Sequence, residues 1–105
     1  MIKLGIDFDG VICKREGIPT IGDWQKCEPV NGARESIELF IKQGIGVYIC
    51  TQREHYDWPE VKEWLKKRGF PELRITNKKE KDTTVYIDDR AIRFTNWNDI
   101  RKLFN

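Results

Sequence analysis

Three short apolar runs constrain the fold of this chain most: Lys3–Phe8, Gly46–Cys50 and Thr84–Ile87. Each is rich in β-formers and reads as a strand buried within a sheet. The stretches between them carry helical periodicity. Ala33, Ile37, Phe40 and Ile41 recur at helical spacing, with Asn31 placed to cap that helix and Gly44 to end it. Pro59 suits the first turn of a second helix, whose buried stripe is Val61, Trp64 and Leu65. Lys66, Lys67 and Arg68 complement its dipole, and Gly69 stops it. Arg74-Ile75 reads as a short strand and Arg93-Phe94 as an edge strand. A last helix from about Trp97 turns Ile100, Leu103 and Phe104 inward. This alternation predicts an α/β fold, an open, mainly parallel sheet covered by helices on both faces.

At 105 residues the chain makes one domain, 1–105, with a single core. Its net charge of +2 is too near neutral to imply nucleic-acid binding by itself. No apolar run approaches the roughly 20 residues of a membrane helix, and no signal-peptide pattern opens the chain. Cys13, Cys27 and Cys50 are odd in number and lack metal-ligand spacing, which predicts reduced thiols in a cytoplasmic protein. A Cys13–Cys27 disulfide is the conceivable alternative, but nothing local argues for it. His55 is the only histidine, which excludes a histidine triad and a multi-histidine metal site.

In an open parallel sheet, ligands bind beyond the carboxyl ends of the strands. Here the first strand ends in Asp7 and Asp9, the second in Thr51 and the third in Asp88 and Asp89. Alternation along a strand turns Asp7 and Asp9 to the same side. Carboxylates gathered in this way repel unless a cation compensates them, and a hard cation such as Mg2+ is the simplest. Lys78, Lys79 and Lys81 precede the third strand and bring an ammonium toward the same crevice.

These residues, in this order, resemble the four motifs of the haloacid dehalogenase (HAD) superfamily. The motifs are Asp7-Phe8-Asp9-Gly10-Val11, Thr51 after an apolar strand, a lysine, and Ile87-Asp88-Asp89; Pro29-Val30-Asn31-Gly32-Ala33 resembles the usual entry to the first helix. The likeness covers nearly the whole chain. It implies a Rossmann-like core and Mg2+-dependent hydrolysis of phosphate monoesters through an aspartyl-phosphate on Asp7. Asp9 would act as general acid and base, and Thr51 and a lysine would hold the phosphoryl group. The implied Mg2+ ligands are the Asp7 carboxylate, the Asp9 backbone carbonyl and Asp89. Asp88 either holds the lysine or joins them. Spacing to Asp88 favours Lys79, although Glu80 stands where relatives often have proline.

Arg53, two residues past Thr51, is placed either to contact a substrate phosphate or to form a surface ion pair with Glu54 or Glu60. Trp24, Trp58 and Trp97 fit burial or a substrate-lining surface. The chain resembles capless relatives, with only a short flap at about 11–30 and a single helix between Thr51 and Lys79. Water exclusion would then fall to the flap, a bulky substrate or a second copy in a homo-oligomer. Substrates compatible with this reading are nucleotides, nucleic-acid ends, phosphoproteins and small phosphorylated metabolites. The alternatives are a phosphate-responsive module like a response-regulator receiver and a catalytically inactive HAD-like binding domain. A receiver carries its phosphorylated aspartate on a middle strand, where this chain has Cys50-Thr51.

Overall fold

The computed structural model describes residues 1–15 and 23–105. Its four strands are β1 (Lys3–Ile6), β2 (Gly46–Cys50), β3 (Ile75–Thr76) and β4 (Val85–Ile87). Its helices are α1 (Ala33–Lys42), α2 (Trp58–Lys67) and α3 (Trp97–Lys102), with 3-10 turns at Asp23–Lys26 and His55–Asp57. The strands form one all-parallel sheet in the order β3-β2-β1-β4. No helix among the described residues is long and apolar enough to cross a membrane.

Register explains the core. Leu4 pairs with Val47 and Val85, Ile6 with Ile49 and Ile87, and Ile49 with Ile75, so these side chains share one face. Ile37 of α1 and Val61, Trp64 and Leu65 of α2 join Leu4, Ile6, Ile49 and Ile75 in a single buried cluster. Right-handed crossovers require this arrangement: β1 to β2 to β3 advances one way, so both connecting helices lie on the same side.

The step from β3 to β4 reverses direction and has to cross the opposite face. That connection is a loop, which corrects the expectation of helices on both faces. The Tyr48 hydroxyl shares a hydrogen bond with Thr83 of this loop. Lys3 and Arg74 lie over the Tyr48 ring and pair with Glu80. Helix α3 buries none of its residues: Trp97 is exposed, as are Leu103 and Phe104 just beyond the helix. Its apolar stripe was expected to face inward; instead it is left undocked, and the apolar groove between Ile6, Ile37, Phe40 and Ile87 is not covered by it. Arg93-Phe94 forms no strand.

Local signals behave unevenly. Gly44 and Gly69 follow α1 and α2 with φ of 82° and 77°, the left-handed caps expected there. Asn31 is exposed and does not cap α1; Gly32 occupies that position without a side-chain bond. Part of the flap, 16–22, lies outside the described residues. The described part carries a correction, because Cys13 and Cys27 are bonded to each other and only Cys50 is free. A tight turn after β1, in which the N–H groups of Ile12 and Cys13 both donate to the Phe8 carbonyl, brings Cys13 alongside Pro29 and so near Cys27. Disulfides are uncommon in reducing compartments, so the thiol argument for a cytoplasmic protein falls away.

Candidate active site

The reversal of connection between β1 and β4 opens a crevice at their carboxyl ends. Asp7 follows β1 directly and Asp88 and Asp89 follow β4, and the Asp7 N–H donates to the Ile87 carbonyl at 2.9 Å, which locks the two strand ends together. One carboxylate oxygen from each of Asp7, Asp88 and Asp89 lies within 4.8 Å of the others. Asp7 is half-buried, while Asp88 and Asp89 are exposed. Glycine at position 10 permits this packing. Gly10 has φ of 85°, and a Cβ there would overlap the Asp89 carboxylate.

Partial burial, chiefly, pushes the Asp7 carboxyl up to about 6; the Phe8 N–H opposes this, and the charges of Asp88, Asp9 and Asp89 add to it. The cluster offers oxygen donors only, which suits a hard divalent cation and not a soft one. Asp7, Asp88 and Asp89 are the residues that would hold it.

Asp9 lines the same cleft of about 630 Å3 as these three, along with Arg15, Gln52 and Arg90. Its carboxylate is already matched. Arg53 donates to it through Nε at 2.8 Å and Nη2 at 2.9 Å, and Arg15 through Nη1 at 3.2 Å. Arg53 therefore pairs with Asp9 and not with Glu54 or Glu60. Thr51 directly follows β2 with only 2% of its surface exposed, and its Oγ1 accepts the Arg53 N–H at 3.2 Å. The Thr51 side chain thus sits behind the cleft wall rather than in it.

Lys79 shares a second, smaller cavity of about 120 Å3 with Asp7, Asp88 and Gln52, its ammonium 5.4 Å from the centre of the Tyr86 ring. Lys78 and Lys81 line neither cavity. Trp24 and Trp58 are half-buried against Arg53, whereas Trp97 lies in the exposed C-terminal stretch.

The residues that sequence reasoning missed are Gln52, Arg15 and Arg90, all of which line the cleft. Gln52 was recoverable from its place just past a strand end. No local signal marked Arg15. The fold and site together define an α/β protein with an acidic cluster at the switch point of a parallel sheet. No protein-family model, curated protein or solved structure matches the chain.

Proposed function

We propose that this chain is a capless HAD-like phosphatase, hydrolysing phosphate monoesters with Mg2+ through an aspartyl-phosphate on Asp7. The observation that carries this reading is the meeting of Asp7, Asp88 and Asp89 at adjacent strand ends, with Lys79 in a cavity shared with Asp7. When bound, Mg2+ would supply positive charge to the transferring phosphoryl group and offset the carboxylates around it. Asp7, Asp88 and Asp89 would hold it, together with the Asp9 carbonyl.

An Asp7 carboxylate oxygen forms a bond to phosphorus as the ester P–O bond breaks. The leaving oxygen takes a proton from the Asp9 carboxyl. Lys79 neutralises a phosphoryl oxygen through the transfer, while Gln52 and Arg90 offer further donors at the cleft wall. In the second half, water gives a proton to Asp9 and its oxygen attacks phosphorus, freeing Asp7 and inorganic phosphate.

Hydrolysis of p-nitrophenyl phosphate, with Mg2+ and with EDTA, tests the proposal. Turnover that requires Mg2+ and vanishes in Asp7→Asn is expected. Turnover unchanged in that variant refutes covalent catalysis by Asp7. Mg2+-dependent phosphate binding without turnover identifies a binding module instead.

A further inference from the structure

Arg53 is held from several directions at once. Its N–H donates to Thr51 Oγ1 at 3.2 Å and its carbonyl accepts from Trp58 Nε1 at 3.0 Å. Its guanidinium lies 4.3 Å from the centre of the Trp24 ring and 5.7 Å from that of Phe8. So fixed, it presents its planar fork to both oxygens of Asp9, a two-point contact that sets orientation as well as distance. Arg15 reaches the same carboxylate through one nitrogen only.

We propose that Arg53 is a positioning residue that aims Asp9 at the leaving oxygen of the substrate, and that Thr51 and Trp58 act through it. This rests on the phosphatase reading. The argument is electrostatic and geometric. Asp9 shares its cleft with Asp7, Asp88 and Asp89, which repel it toward solvent. A carboxyl that must deliver a proton has to stay within hydrogen-bond reach of the acceptor, and a displacement of about 1 Å costs on the order of 100-fold in rate. Arg53 supplies the opposing attraction from a rigid base.

The role has a signature that phosphate binding and structural support both lack. Bond breaking to a p-nitrophenolate leaving group needs little proton donation, whereas an alkoxide leaving group depends on it. The proton passes from Asp9 to the departing oxygen as Asp7 bonds to phosphorus, so the first half-reaction carries the effect, and kcat/KM reports that half.

The experiment measures kcat/KM for p-nitrophenyl phosphate and for a simple alkyl phosphate at saturating Mg2+. It uses the intact protein, Arg53→Ala and Arg53→Lys, with thermal melts to confirm folding. Arg53→Ala is expected to lose about 100-fold on the alkyl ester and less than about tenfold on the aryl ester. Arg53→Lys keeps the charge but not the fork and is expected to fall between. Should Arg53→Ala fail to fold, Trp58→Phe, which removes one hydrogen bond to the Arg53 carbonyl, is expected to show the same selective loss on a smaller scale. Equal losses on both esters, or none on either, overturn the proposal. An intact protein inert toward both esters instead overturns the phosphatase reading beneath it.

Discussion

Replacing Asp7 by asparagine should stabilise the fold while abolishing turnover, and the gain should depend on pH in a way fixed by the site. Burial and neighbouring carboxylates raise the Asp7 carboxyl from its ordinary 3.8 to about 6. Below about pH 4 the group is protonated in both folded and unfolded chains and contributes nothing. Between 3.8 and 6 the unfolded chain releases the proton that the folded one retains, so stability falls as pH rises. Above 6 the whole penalty is present. Unscreened, that shift corresponds to about 3 kcal/mol. Asp7 is half in solvent, and screening reduces the figure to about 1.5 kcal/mol. For a domain of this size the gain is about 5–10 °C in Tm near pH 7.5, vanishing near pH 4. The assay is thermal unfolding in EDTA across pH 4–8 for the native chain and Asp7→Asn. Adding Mg2+ at about 100 times its Kd should then stabilise the native chain by about 2.7 kcal/mol and the variant by less. A variant no more stable at pH 7.5 than at pH 4, relative to the native chain, refutes the reasoning.

Two further outcomes follow from local geometry. Gly10→Ala places a Cβ against Asp89 at a positive φ; it should cost about 1–2 kcal/mol and weaken the Mg2+-induced rise in Tm by about tenfold in apparent Kd. An unchanged Mg2+ titration would show that Asp89 does not depend on that packing. Reducing the Cys13–Cys27 bond, or replacing both residues by serine, opens a loop of sequence separation 14 and should lose about 3 kcal/mol. Melts with and without a phosphine reductant measure it, and coincident curves would contradict the pairing.

The elements that were legible in the sequence are those whose signal is local. The strands through Ile6, Ile49 and Ile87 are short β-rich runs, and α1 and α2 combine an apolar stripe with glycine stops. Convergence of acids was legible too, because parallel strands bring their carboxyl ends to one edge. What escaped depends on contacts between distant positions. The C-terminal stretch has an apolar stripe in Ile100 of α3 and in Leu103 and Phe104 just past it, yet periodicity says nothing about whether the stretch docks. The Cys13–Cys27 bond depends on the turn hung from the Phe8 carbonyl, which no cysteine spacing encodes. Arg53 had acidic neighbours at Glu54 and Glu60 but found Asp9, 44 residues away.

That last pairing divides the four acids of the cleft by task. Asp9 is compensated within the protein, by Arg53 and Arg15, and so needs no cation to stay in the cleft. Among the described residues Asp7, Asp88 and Asp89 have no comparable partner: the Asp7 Oδ1 accepts from the Phe8 N–H and the Asp88 Oδ1 from the Arg90 N–H, both neutral backbone donors. A phosphate dianion approaching Asp7 would therefore meet three carboxylates that no described side chain pairs at close range, with Arg90 lining the same cleft and Lys79 a cavity shared with Asp7 and Asp88. Repulsion at that edge would defeat nucleophilic attack by Asp7 unless a divalent ion took the three together. The same ion would lower the proton affinity of Asp7 and make it available as a carboxylate at neutral pH. On the proposed reading, the acid assigned to the proton step is the one compensated within the protein, and the three assigned to the metal are those that would depend on it for compensation.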